Sequence, residues 1–329
     1  MKRVRMEMLN SCASTNGGTE MNTISDLVLS WMETYKRNTV KPATFDRLEI
    51  SYRTMLNYPI SQIRLFELRS EDIQDYVNAL VKDGYALSTI KKQFTLLTAF
   101  LKHEFAQGAI KSPMYLTVKL PIEEKVAKPA KKVEVYSSME QKRLLKVTEG
   151  LEFLAYGAII LMLEAGLRCG EAQCLTWDDI LWDEKAVRIS KTLVRLSSHR
   201  GDTFVQQSAK SKASNRTIPL SQKAMDVLER LADRAGNLSG YIFPSTNDDS
   251  IPMSYFTVKY YLKMACEKAG VKYKSAHALR HTFATNCYHR GCDVKILSKL
   301  LGHADVTITY NIYIHLYGNE LEAMRKVIG

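Results

Sequence analysis

Residues 163–171 read Leu-Glu-Ala-Gly-Leu-Arg-Cys-Gly-Glu. The apolar run Phe153–Leu163 precedes them and closes at Glu164. A stretch hydrophobic all round belongs inside a protein core, so a largely buried helix is expected over residues 152–164. Gly166 permits a tight turn. A second helix is expected from Cys169 to Thr176, which puts Arg168 at a helix start whose free N–H groups face the same space. A buried helix, a glycine turn and an arginine at the mouth of the next helix together suggest a core with a cationic rim.

Beyond this block, Ile180–Trp182 and Ala186–Ser190 read as strands flanking the turn Asp183-Glu184-Lys185. Residues 191–220 read as a longer hairpin whose returning strand is Arg216–Leu220. Helical patterns follow at 221–235, 254–269, 278–290 and 293–300, with a tail from Asn319. Upstream, Ser137 and Glu140 form a capping box that opens this domain. Before it lies KLPIEEKVAKPAKKVEV (119–135), with five lysines and two prolines, expected to be an extended basic linker.

Four helical patterns precede the linker. Ile24, Leu27, Val28, Trp31 and Met32 mark the first by their spacing. The second runs from Pro42 to Asn57, with Pro42 suited to the first turn. The third covers Ser70 to Lys82 with Ser70 as N-cap. The fourth, Ser88 to Gln107, aligns Ile90, Phe94, Leu97, Phe100 and Leu101. The expected fold is therefore mainly α with a small antiparallel β-sheet (α+β). Its parts are a flexible leader (1–21), a helical domain (22–118), a basic linker (119–136) and a larger C-terminal domain (137–329).

The formal net charge of +11 over 329 residues favours a polyanionic partner, because phosphates attract Lys and Arg and release counterions on binding. Six cysteines are too few for a disulfide framework, and the pairs Cys169/Cys174 and Cys287/Cys292 lack zinc-knuckle spacing. No apolar run is long enough for a membrane span, and the N-terminus lacks a secretory h-region. A soluble cytoplasmic protein with no membrane partner is expected. Walker and Gly-x-Gly-x-x-Gly signatures are absent, so neither a nucleotide nor another cofactor is indicated.

Four clusters carry chemistry. They are the Arg168 block; Ala209-Lys210-Ser211-Lys212-Ala213-Ser214-Asn215-Arg216-Thr217-Ile218-Pro219-Leu220; His277-Ala278-Leu279-Arg280-His281; and Leu300-Leu301-Gly302-His303, followed ten residues later by Tyr313 and then by His315. Each alone has an ordinary structural explanation. His277 and His281 share a helix face, but no nearby acid or cysteine completes a metal-ligand set, so no metal is expected.

Taken together and in this order, these residues resemble the tyrosine recombinase (phage integrase) family over about residues 137–316. The helical domain ahead of them corresponds to the family's SAM-like core-binding domain. The resemblance implies two domains forming a clamp around DNA, cutting through a 3′-phosphotyrosine without metal or ATP. Arg168 and Arg280 would clamp the non-bridging oxygens of a phosphorane, a geometry a lysine cannot reproduce. Tyr313 would be the nucleophile, His277 the base or proton manager, and His303 a hydrogen-bond donor to the scissile phosphate. Lys210 would be the general acid for the departing 5′ oxygen, with Lys212 as its competitor on the hairpin. Glu171 would orient the catalytic groups. Tyr310 competes with Tyr313, but the ten-residue spacing from His303 and the following Ile314-His315 favour Tyr313.

The expected partners are double-stranded recombination sites and a homotetramer assembled on two duplexes, with residues 316–329 exchanged between protomers. An accessory bending or directionality factor is a further expected partner, and association with a bacterial nucleoid follows when DNA is bound. The brevity of the leader leads to an expectation of no separate arm-binding domain. The biological role would be integration or excision of a mobile element. The same chemistry also serves type IB topoisomerases, and a non-catalytic DNA-binding regulator is the reading from a different class.

Overall fold

The computed structural model describes residues 22–126, 133–149, 154–196, 203–208 and 215–310. Two compact units divide the chain. One holds residues 22–126 with 195, 196 and 203, and the other holds the described residues of 133–194 and 204–310.

In the first unit, α1 (Ile24–Trp31) begins at Thr23, whose hydroxyl accepts from the Asp26 N–H, while the Asp26 carboxylate accepts the Thr23 N–H at 3.1 Å. This reciprocal cap satisfies two donors a helix start would otherwise leave open. α2 (Pro42–Met55) places Pro42 in its first turn as expected. α3 (Ser70–Lys82) is preceded by Arg69 as the cap, not Ser70: the Asp72 carboxylate accepts the Arg69 N–H at 2.8 Å, which moves the boundary back one residue. α4 (Leu87–Ala106) buries Ile90, Leu97, Phe100 and Leu101 against Trp31 and Met32. The segment expected to begin a linker at Lys119 stays on this unit as far as Val126. The Lys119 N–H donates to Gln74 Oε1 at 2.8 Å, the Gln74 amide returns a bond to the Lys119 carbonyl at 3.1 Å, and Val126 is buried in the same core. A few apolar residues, Val118, Leu120 and Val126, outweigh the lysine-rich composition there.

The second unit opens with α5 (Ser138–Glu149), where the Ser137–Glu140 capping box forms. Its centre is α6 (Leu154–Ala165), which packs against α5 and four later elements: α7 (Cys169–Gln173), α8 (Gln222–Ala235), α9 (Tyr255–Lys268) and α10 (Ala276–His289). Ile159, Ile160, Leu161, Met162 and Leu163 are all buried, each contributing about 1.5–3 kcal/mol relative to exposure. α7 stops at Gln173 rather than Thr176, because Thr176 turns to cap the next bend with its N–H and hydroxyl both on the Asp179 carboxylate (3.0 and 2.9 Å).

The strands are β1 (Ile180–Leu181), β2 (Ala186–Ile189), β3 (Lys191–Leu196), β4 (Thr203–Ser208) and β5 (Arg216–Pro219). β1, β2 and β5 form one antiparallel sheet with β2 in the middle, while β3 pairs with β4. The returning strand thus pairs with β2 and not with the strand that leaves at 191. The register explains this: Val187 stands opposite Ile218, and both are buried, so this pairing closes the core-facing side of the sheet. α11 (Val294–Leu301) follows α10, starting at Asp293, whose carboxylate accepts the N–H groups of Lys295 and Ile296. Among the described residues no helix is long and apolar enough to cross a membrane.

Candidate active site

The site is built on the end of α11. Gly302 adopts φ +63°, ψ +45°, a left-handed conformation suited to glycine. Its N–H returns to the Lys299 carbonyl (2.9 Å) and the His303 N–H to the Ser298 carbonyl (3.0 Å), closing the helix in a Schellman turn. The carbonyls of Leu300, Leu301 and Gly302 then lie at the negative end of the helix with no partner along it. Each accepts from a different arginine. Arg216 Nε donates to Leu300 O at 2.5 Å, Arg280 Nη2 donates to Leu301 O, and Arg168 Nη2 donates to Gly302 O at 2.9 Å. Arg280 Nη1 also reaches Gly166 O at 2.9 Å, so the glycine turn after α6 holds the second expected arginine.

The same three guanidiniums surround one carboxylate. Glu171 accepts two bonds from Arg216 (Nη1 to Oε1, 3.1 Å; Nη2 to Oε2, 2.8 Å), one from Arg168 Nη1 (2.6 Å) and one from the Arg168 backbone N–H (2.9 Å). Arg280 Nη1 stands 3.8 Å from it. Burial alone would push this carboxyl up, but the Arg216 bonds and the charges of Arg216, Arg168 and Arg280 outweigh burial and hold it near about 2. The side chains differ in access: Arg168 is 34% exposed, whereas Arg216 is 6% and Arg280 2% exposed. Arg168 is therefore the guanidinium of the three that a ligand meets first.

The His303 ring lies between Arg280 and Thr309, with Nε2 3.1 Å from Arg280 Nη2 and Nδ1 2.7 Å from Thr309 Oγ1. An arginine donates and never accepts, so Nε2 must be the unprotonated nitrogen and Nδ1–H the donor to Thr309. Burial, then the charges of Arg280 and Arg168, lower its pKa to about 3, which keeps the ring neutral at physiological pH. His277 lies exposed on α10, its pKa lowered by partial desolvation and by Arg280 and Arg168. Its ring meets His281 edge to face, with centroids 4.5 Å apart. His281 is lowered to about 4 by burial and then by His277 and Arg280.

Of the residues expected from sequence, Arg168, Glu171, Arg280 and His303 converge, and His277 stands within electrostatic reach of them. Lys210, Lys212, Tyr313, His315 and the segment 316–329 lie outside the described residues. Tyr310 is described and exposed. Arg216 was given no role from sequence. The signal for it was strand alternation: in β5 it shares the inward side with buried Ile218, and an arginine turned inward requires an acid. Among the described residues, no group of three or more His, Cys, Asp or Glu side chains is arranged to hold a metal ion.

A mainly helical unit with an arginine-rich centre, in which a single carboxylate is outnumbered by guanidiniums, defines a protein built to receive an anion. The phage integrase family profile matches residues 135–320, and the profile of the phage integrase N-terminal SAM-like domain matches residues 23–81. The chain belongs to the phage integrase family, the tyrosine recombinases that break and rejoin DNA strands. It is 30% identical over 317 residues to a tyrosine recombinase XerC-like protein of Caldanaerobacter subterraneus subsp. tengcongensis, covering 89% of this chain and 79% of that one. It is 24% identical to the transposase from transposon Tn916 of Enterococcus faecalis, covering 75% of this chain and 63% of the transposase. In fold it is similar to the Tn1549 transposon integrase solved with transposon right end DNA. That likeness has a TM-score of 0.78 and 19% identity, over 93% of this chain and all of that one. A lambda integrase tetramer bound to a Holliday junction aligns with a TM-score of 0.62 and 16% identity, over 94% of this chain and 85% of that one.

Proposed function

We propose that this recombinase cuts each DNA strand by attack of the Tyr313 phenolic oxygen on a scissile phosphate, in the service of integrating or excising a mobile element. The observation that carries the reading is the convergence of Arg168, Arg280 and His303 on one anion-receptive centre. In the attack, the Tyr313 proton passes to His277, the new P–O bond forms, and the P–O5′ bond breaks. The departing 5′ oxygen takes its proton from Lys210, or from Lys212 if the hairpin presents that residue. The products are a 3′-phosphotyrosine and a free 5′ hydroxyl, so bond energy is kept and a second strand can reverse the step.

Within this reading the arginines act at different depths. Arg168 meets a non-bridging oxygen directly, exchanging its bond to Gly302 O for one to phosphate. Arg280, at 2% exposure, supplies charge from behind until Leu301 O or Gly166 O releases one of its nitrogens. His303 donates to phosphate once its proton moves from Nδ1 to Nε2. Glu171 orients Arg168. The helical first unit contributes further contacts to double-stranded DNA, and four protomers hold two duplexes by exchanging residues 316–329. The DNA-bound Tn1549 integrase and the lambda tetramer support this assembly by likeness of fold.

The test begins with a library of nicked duplexes randomised around the nick, from which wild-type protein selects sequences that trap a covalent adduct. Tyr313→Phe should bind the selected duplex and form no adduct. An adduct that persists in Tyr313→Phe and disappears in Tyr310→Phe overturns the nucleophile. Transfer of the trapped strand to a second duplex, rather than religation on the same one, separates recombinase from topoisomerase action.

A further inference from the structure

We propose that Arg216, at the start of β5, is a positioning residue for DNA cleavage: it occupies the Glu171 carboxylate so that Arg168 stays available to phosphate, and it ties the hairpin strand to the turn that carries His303. The inference rests on the anion-receptive reading of the site.

The problem Arg216 solves is a competition. A buried carboxylate beside Arg168 and Arg280 is itself a strong ligand for a guanidinium, and a planar fork prefers two oxygens to one. Left alone with those two arginines, Glu171 would draw them inward and stand in for the phosphate. Arg216 takes the fork geometry instead, one nitrogen on each carboxylate oxygen at 3.1 and 2.8 Å. Arg168 keeps a single side-chain bond to Glu171, and its other terminal nitrogen rests on Gly302 O, a neutral carbonyl that a charged phosphate oxygen outcompetes. The charge count agrees: three guanidiniums against one carboxylate leave a surplus of two positive charges, and without Arg216 the surplus falls to one.

The second half of the role is mechanical. Arg216 Nε donates to Leu300 O, in the last turn of α11, two residues before the Gly302 turn and three before His303. Arg216 also belongs to β5, where it stands opposite Ile189 of β2. One side chain therefore links sheet, carboxylate and helix end. At 6% side-chain exposure it sits behind the surface that phosphate would approach. Its effect passes through Glu171, Arg168 and the His303 turn.

The test uses the full chain and the duplex selected by wild-type protein, with single-turnover adduct formation at saturating protein and duplex affinity measured separately. Arg216→Met should slow adduct formation about 100-fold, the size expected for a mispositioned reacting centre, with affinity changed by less than about threefold. Arg216→Lys keeps the charge but loses the fork and should fall between the two. Glu171→Gln combined with Arg216→Met removes both the competing carboxylate and its partner, and should cleave about tenfold faster than Arg216→Met alone. If Arg216→Met fails to fold, Arg216→Lys against wild type decides the matter. Arg216→Lys cleaving at the wild-type rate, a double variant no faster than Arg216→Met, or a rate loss matched by an equal affinity loss overturns the inference. A wild-type protein that traps no adduct from the library overturns the function itself. A wild-type protein that does so, alongside unaffected Arg216 variants, overturns only the role of Arg216.

Discussion

Gly166 and Gly236 both sit at φ +65°, Gly236 with ψ −30°, and their surroundings differ. An alanine at either position takes on the cost of an L-residue at positive φ, about 1–2 kcal/mol. At Gly236 the added Cβ meets open space. At Gly166 it would lie 2.3, 2.8 and 3.0 Å from Cδ1, Cε1 and Cγ of Phe283, so the whole ring on α10 must swing away. Overpacking of this kind adds about 1–3 kcal/mol. In a unit of this size 1 kcal/mol lowers Tm by about 2–4 °C. Gly166→Ala should therefore melt roughly 5 °C below Gly236→Ala when the full chains are compared by calorimetry. It should also lose activity, because the Gly166 carbonyl holds Arg280 Nη1 at 2.9 Å. Adduct formation should fall about tenfold or more at a temperature where the variant is fully folded, while Gly236→Ala cleaves normally. Phe283→Leu in the Gly166→Ala background vacates the ring position and should return the melting point to the Gly236→Ala level. Equal melting of the two alanine variants, or no rescue by Phe283→Leu, would refute the steric argument.

Two further outcomes follow from the electrostatics. The Glu171 carboxyl is held near about 2, below its ordinary 4.5. Its ionised form therefore contributes stability that is complete above pH 4.5 and is lost as the pH falls from there toward 2, on the order of 3 kcal/mol. Acid titration of unfolding should show that loss in wild-type protein and a flatter profile in Glu171→Gln; equal slopes would remove Glu171 as the cause. The His303 ring should remain neutral with its proton on Nδ1 between pH 5 and 8, since its pKa is lowered to about 3 and Nε2 accepts from Arg280. Ring nitrogen NMR shifts report this directly. Thr309→Val should leave the proton on Nδ1, because Arg280 still donates to Nε2, and an Nε2–H ring in wild-type protein would contradict the assignment.

Local pattern was enough to read most elements. The capping box at Ser137, the buried run that becomes α6 and the asparagine-free turn after Leu181 all depend on neighbours within a few residues. So does the Gly166–Glu171 block, where Glu171 reaches back to the Arg168 N–H at 2.9 Å. The readings that shifted depend on distant partners. The strand at 216–219 chooses β2 because Val187 and Ile218 close the core together, and residues 119–126 stay with the first unit because Gln74 brackets Lys119. Arg216 shows the same limit most sharply. Its alternation with Ile218 is written in the strand, but the carboxylate and the Leu300 carbonyl that give it meaning stand 45 and 84 residues away.

The three helix-end carbonyls also set an order of events during synthesis. The Arg168–Gly302 bond joins residues 134 apart, and the Arg280–Gly166 bond joins residues 114 apart. A ribosome adds about 5–20 residues per second, so Arg168 and Glu171 are exposed for roughly ten seconds before Gly302 exists. During that interval α6 can bury its apolar surface, but Gly302, whose carbonyl fixes Arg168, and Arg280 itself have not been made. A nascent chain thus lacks the assembled arginine centre until the turn at 300–303 docks, and on the proposed mechanism it lacks the nucleophile at 313 for longer still.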